Sequence, residues 1–252
     1  MFLTIKSTLA LNYFYCDSTD FSNSNDTVVK LETYYYFDFI NNSKDSVVIE
    51  ENSSNTYKKE KITIEITVKN SKLNGSIKYY LNDSLLLLEG YMKNNLPDST
   101  FVKYHTSELK YKIVSIRSSF KNGLKNGTEI EYDKEGKVKK VCNYENGIFN
   151  GIYQNYDYKG NLLSKGSYIR GKKAGNWEEK YPDKKVLISL NYENDILIDY
   201  IWTSFYPNGN VFYEGTFDKS GKLNGISTTY DENGNVKSTE IYKKGKLKKV
   251  LS

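Results

Sequence analysis

Gly151-Ile-Tyr-Gln-Asn-Tyr156-Asp-Tyr-Lys-Gly160-Asn-Leu-Leu-Ser-Lys-Gly-Ser-Tyr168-Ile-Arg-Gly171 contains one complete structural unit. An alternating run closes at Tyr156, a turn carries Gly160, a second alternating run closes at Tyr168, and a second turn carries Gly171. Period-two alternation is the pattern of a half-buried strand, and two such runs joined by a glycine turn read as a β-hairpin. The unit recurs on both sides. Tyr80, Tyr104, Tyr132, Tyr156, Tyr181, Tyr206 and Tyr230 close the first runs at intervals of 24 to 28 residues. Phe120, Tyr144, Tyr168, Tyr192, Phe217 and Tyr242 close the second runs at intervals of 24 or 25. A fixed period of this length marks a repeat architecture, so function is sought first in a repeating surface.

The turns obey their own chemistry. Glu135-Gly136, Lys159-Gly160, Asn208-Gly209 and Asn233-Gly234 place glycine where a left-handed backbone is needed. Asn122-Gly123, Asn146-Gly147, Arg170-Gly171, Ser220-Gly221 and Lys244-Gly245 do the same in the connecting loops, followed in most copies by Gly127, Gly151, Gly175 or Gly225. Asp195 and Asp199 replace both glycines in one copy, which predicts a distorted repeat there. Counting by twos puts Ile130 with Tyr132, Ile152 with Tyr156, Trp177 with Tyr181 and Ile226 with Tyr230 on an apolar-aromatic face. Val138 with Tyr144, Leu162 with Tyr168, and Tyr192, Phe217 and Tyr242 join them. Glu129, Glu131, Lys139, Lys165 and Glu178 fall on the polar face.

Upstream the unit is less regular. Lys72-Leu-Asn-Gly75 mirrors Lys222-Leu-Asn-Gly225, and Asn94-Asn95-Leu-Pro97 stands in for a glycine loop. Residues 105–119 predict an enlarged turn. Ile62, Ile64, Ile66 and Val68 read as a second strand whose partner lies in Leu31–Ile40 or Val47–Ile49. Residues 50–60 predict a loop, and residues 17–26 a disordered segment. The expected fold is all-β: tandem β-hairpin repeats stacked into an elongated, twisted single antiparallel sheet. An N-terminal irregular or strand cap covers 1–56, and an array of about seven repeats of about 24 residues covers 57–252. A lone hairpin cannot bury its apolar face, so stability must come from stacking between neighbours.

Composition agrees. Of 252 residues, 15% are aromatic and 24 are Tyr, while Ala10 and Ala174 are the only alanines, which disfavours long helices. The net charge of +5 rests almost wholly on lysine, because Arg117 and Arg170 are the only arginines. Nucleic-acid readers favour the planar arginine fork, so nucleic acid is not an expected partner. Cys16 and Cys142 have no metal or disulfide spacing.

Lys165-Gly-Ser-Tyr168-Ile-Arg-Gly171-Lys-Lys-Ala-Gly175-Asn-Trp177, followed by Tyr181, resembles the MORN repeat in its bacterial variant. Phe205-Tyr206-Pro-Asn-Gly209-Asn-Val-Phe-Tyr-Glu-Gly215-Thr-Phe217 matches the middle of the same unit. The resemblance spans roughly residues 60–250 and is strong over 120–245. It implies stacked hairpins in a long sheet, no catalytic residues, and a scaffold for protein contacts that sometimes associates with membranes. Bacterial relatives are often called YwqK-type antitoxins.

Catalysis finds no support in the residues. His105 is the only histidine, with Ser107 and Glu108 its nearest triad partners. No metal site, cofactor or phosphate loop is expected. The Tyr132 and Tyr144 series read as stacking core. Phe149, Tyr153, Tyr158, Trp202 and Tyr213 interrupt the polar face and are the partner-binding candidates. The expected function is a non-catalytic scaffold for another, unidentified protein, with antitoxin- or immunity-like neutralisation as what the resemblance adds. The alternative is a surface-association module for anionic lipid or glycan, with the C-terminal lysine run making weak lipid contact. The start, MFLTIKSTLALNYFYC, is too broken by polar residues for a signal peptide, so the expected location is cytoplasmic, with export the alternative.

Overall fold

The computed structural model describes residues 5–6, 15–16, 27–37, 58–70, 72–106 and 112–251. Strands β1 (Ile5–Lys6) and β2 (Tyr15–Cys16) pair with each other. The chain divides into two compact units, Met1–Leu124 and Lys125–Ser252.

The first unit contains β3 (Thr27–Phe37), β4 (Lys58–Lys69), β5 (Lys72–Leu81), β6 (Leu85–Lys93), β7 (Leu96–Pro97), β8 (Ser99–Tyr104) and β9 (Val114–Lys121). Each is antiparallel to its predecessor, except that β7 and β8 together oppose β6, broken at Ser99 with φ 72. The partner of the isoleucine strand is β3, from Thr27↔Val68 to Phe37↔Lys58. Residues 58–60, expected in a loop, therefore extend β4. The enlarged turn is shorter than expected, because β9 resumes at Val114 and the His105 amide donates to the Ile113 carbonyl at 2.9 Å. Residues 17–26, 38–57 and 107–111, with the calls made on them, lie outside the described residues.

Alternation on β4 does what it should for a half-buried strand. Ile62, Ile64, Ile66 and Val68 enter a core with Leu73, Ile77, Tyr79, Met92, Phe101 and Phe120. Gly90 is required here: a Cβ on it would overlap the Phe101 ring.

The second unit contains β10 (Leu124–Tyr132), β11 (Val138–Glu145), β12 (Ile148–Tyr156), β13 (Leu162–Ile169), β14 (Lys172–Tyr181), β15 (Val186–Glu193), β16 (Ile196–Phe205), β17 (Val211–Asp218), β18 (Leu223–Tyr230), β19 (Val236–Lys243) and β20 (Lys246–Val250). Every strand pairs antiparallel with the next. The fold is thus all-β, antiparallel hairpins following one another in chain order.

Two kinds of turn alternate along this unit. Within a repeat, Asp133 Oδ1 accepts the amides of Glu135 and Lys137, and Asp157 and Asp231 repeat the arrangement two and four residues on; Asp218 does the same in one turn between repeats, after β17. The carboxylate thereby satisfies amides that the turn leaves without a carbonyl. Ser220-Gly221 belongs to this class, closed by Asp218. Otherwise the turn between repeats is a two-residue left-handed pair, such as Asn146-Gly147 with φ 49 and 82. Asn194-Asp195 keeps it with φ 51 and 69, and the Asp195 amide still donates to the Lys173 carbonyl at 3.0 Å. The expected distortion is therefore absent from the turn. It appears in β16, whose register with β15 slips by one residue between Asn191 and Tyr192, where the glycine-bearing strands β12, β14 and β18 slip by two.

Candidate interaction surface

Period-two counting fails at one recurrent position. The register slips between Glu131 and Tyr132, and likewise at Tyr156, Phe205 and Tyr230. In the first case Lys139 and Lys140, adjacent in sequence, both reach Glu131, at 3.0 and 2.9 Å. Two neighbours on one side are the mark of a bulge, which flips every later side chain. Val138 and Tyr132 therefore share one face while Cys142 and Tyr144 occupy the other. The single apolar-aromatic face expected for both tyrosine series is corrected: in the bulged hairpins the two series line opposite faces.

The face carrying Tyr144 holds a continuous aromatic ladder. Tyr144 stacks on Phe149 at 4.6 Å between centroids, and Phe149 on Tyr168 at 5.2 Å. Tyr168 meets Tyr153 and Trp177 edge-on at 5.8 and 5.1 Å, Tyr153 meets Trp177 at 5.6 Å, and Trp177 reaches Tyr192 at 6.3 Å. Offset and edge-to-face geometries are those that ring quadrupoles favour. Lys125 lies 4.7 Å over Tyr144, and Lys173 lies 4.4 Å over Trp177 and 4.8 Å over Tyr192, so each end carries a cation on a ring. Most rungs are half-buried, but Trp177 is only 2% exposed. Its indole covers Gly166, where a Cβ would collide, and its Nε1 donates to the Ser167 carbonyl at 3.2 Å.

At the start of the ladder the aromatic is replaced. Glu129, two residues after Gly127, sits where Tyr153 and Trp177 follow Gly151 and Gly175. It is 6% exposed, ion-paired to Lys125, and accepts from the Tyr144 hydroxyl at 3.3 Å. Burial, reinforced by the Glu129 charge, pushes both the Tyr144 phenol and the buried Cys142 thiol up. Burial works against the Glu131 carboxylate too, but hydrogen bonds from Lys140 and Lys139 outweigh it and hold that carboxyl low. Glu129 was expected on the polar face; the bulge explains the misplacement.

Phe149 and Tyr153 are rungs of the ladder. Trp202 opposes Ile188 and Gly215 in the register that continues the ladder face, and is 36% exposed. Tyr213 lies two residues before Gly215 on that face, with its hydroxyl 3.2 Å from Ser227 Oγ. Tyr158 stands apart in the turn after β12, 75% exposed. The structure thus brings four of the five candidates to one face. Sequence reasoning missed Lys125 and Lys173 as ladder caps; their only signal was a place beside an inter-repeat turn.

A shallow cavity of about 380 Å³ lies beside the ladder, between Leu163 and Ser164 of β13 and the turn Tyr181–Lys184. It forms where a single 3-10 turn, Pro182–Lys184, replaces the aspartate turn. Among the described residues no group of three His, Cys, Asp or Glu side chains could hold a metal, and no helix is long and apolar enough to cross a membrane.

The MORN repeat variant family matches the chain at residues 125–146, 201–219 and 223–244. These segments cover the hairpins β10–β11 and β18–β19 and most of β16–β17. MORN repeats are generally modules for protein or membrane interaction and are a non-enzymatic repeat type. No curated protein matches the chain.

Proposed function

We propose that this protein is a non-catalytic, cytoplasmic scaffold that binds another protein across the ladder face of its second unit. The supporting observation is the half-exposed row of rings continued by Trp202 and Tyr213. Tyrosine and tryptophan supply large contact area at low conformational cost and lead interface hot spots. If the partner is a toxic protein, occupation of its functional surface makes the scaffold a neutralising partner of the antitoxin kind.

Hydroxyl-radical footprinting of the chain, alone and with a co-purified partner, tests this reading. Protection is expected at Tyr153, Trp202 and Tyr213 and not at Ile152 or Ile226 on the opposite face. Protection confined to the opposite face would sink it. A second reading rests on the exposed lysines 243, 244, 246, 248 and 249, which could hold anionic lipid. It requires vesicle binding that vanishes both with salt and on removing those charges.

A further inference from the structure

The inter-repeat turns of the second unit project a charge pattern along one edge. The turn after β13 carries Arg170 and Lys172, and the turn after β15 carries Glu193 and Asp195. All four are exposed, and among the described residues no ion pair engages them within the chain. Beside these charges the edge exposes Ile148, Ile169 and Ile196, each more than half accessible, on three successive turns. Branched aliphatics at turn tips contribute nothing to hairpin closure, which the left-handed residues and the backbone bonds already secure.

A cationic turn next to an anionic one is self-complementary. A two-fold axis between β14 and β15 sets Arg170 and Lys172 of one copy against Glu193 and Asp195 of the other, and the reverse contact follows by symmetry. Adjacent turns lie about 10 Å apart, two strand spacings, so both contacts form together. The same axis closes Ile169 of one copy over Ile196 of the other. We infer that this edge pairs two copies of the chain, leaving the ladder face free for the partner proposed above. Strands rotate by about 20–25° from one to the next, so the contact is confined to β13–β16. Such an edge falls well below the roughly 800 Å² per partner of a standard interface, and the dimer is accordingly weak and salt-sensitive.

Sedimentation equilibrium of the full chain over a wide concentration range, at low and high salt, tests the inference. Two variants reverse or remove one sign each: R170E with K172E, and E193K with D195N. Asn at 195 keeps the turn, because Asn95 at φ 68 accepts the Leu73 amide at 2.6 Å as Asp195 accepts that of Lys173. Each variant alone is expected to dimerise more weakly by on the order of tenfold or more, with unchanged circular dichroism. An equimolar mixture of the two is expected to recover association, because each contact again joins opposite signs. A monomer at every concentration, a dimer indifferent to both variants, or a mixture that stays monomeric while both variants remain folded would each overturn the inference.

Discussion

Replacing Gly166 by Ala should damage the second unit far more than replacing Gly215 by Ala. Neither glycine has a left-handed backbone, so the contrast isolates packing. A Cβ on Gly166 would stand 2.5 Å from Trp177 Cγ, with two further ring atoms nearer still. Carbon atoms rest at about 3.5–4.0 Å, so the indole must withdraw by more than about 1 Å. Tyr153, Tyr168 and Lys173 surround it at 5.6, 5.1 and 4.4 Å and leave no room for that. Overpacking costs about 1–3 kcal/mol and each loosened ring pair about 0.5–1.5, against about 0.5–1 returned by Ala over Gly in a strand. The net loss is about 3 kcal/mol. At Gly215 the nearest obstacle is the hydroxyl tip of Tyr213, which can swing away. The loss is then its bond to Ser227, about 1 kcal/mol, nearly offset by the same strand gain. Urea unfolding followed by Trp177 emission, in a Trp202→Phe background, reads the difference. Amide exchange should quicken in β13–β15 and little elsewhere, because each hairpin depends on its neighbours. Equal stability of the two variants would refute the claim that Trp177 is seated on Gly166.

Acid should loosen the turns. Hydrogen bonds to Asp157, Asp218 and Asp231, led by the side chains of Asn161, Ser220 and Asn235, hold these carboxyls below their ordinary value. A depressed folded pKa gives stability that is present above the unfolded value, about 3.9, and lost as pH falls through the folded one. Wild type should therefore lose more stability between about pH 5 and 2 than a D157N/D218N/D231N variant, measured by urea midpoints. In the first unit, burial and then a 2.5 Å bond to Glu89 push the Tyr104 phenol up to about 12. Its contribution is complete below about pH 10 and disappears as pH rises toward the folded value, so Y104F should flatten the alkaline limb of the stability profile. Glu129→Ala strands Lys125 and Tyr144 and should cost about 2–3 kcal/mol in thermal unfolding, less than a fully buried pair because Lys125 keeps partial water contact. A melting point unchanged from wild type would show the buried carboxylate to be incidental.

The hairpins and their turns were legible because left-handed positions are local: Asn146-Gly147 or Lys244-Gly245 names its own conformation. Asp195 misled for an equally local reason, since aspartate tolerates the same region and its side chain supplies a bond that glycine lacks. Faces were not legible. A bulge adds one residue without any sequence mark beyond an ordinary Lys139 or Leu163, and parity beyond it inverts. That slip hid Glu129 and put the Tyr144 series on the face of Ile152 and Ile226, which it does not share. The ladder was half legible: its tyrosines announced themselves by period, whereas the Trp177–Gly166 contact joins strands whose pairing must be known first. The partner of β4 is only half legible, since Leu31–Ile40 and Val47–Ile49 both offer a strand; β3 pairs with it from Thr27 to Phe37.

The seat of Trp177 on Gly166 also bears on how such an array can be rearranged. Along the ladder face the paired residues run Cys142, Tyr153, Gly166, then Trp177 and Leu190, so bulk on one strand answers its lack on the next. Phe101 over Gly90 shows the same exchange in the first unit. Each hairpin is therefore fitted to a particular neighbour, like adjoining teeth of different cut. Moving β14 and β15 to follow β11 would bring an indole down on a cysteine side chain already without space. Duplication or shuffling of hairpins would succeed only where both members of a size pair travel together, which makes the order of these repeats a heritable property in its own right.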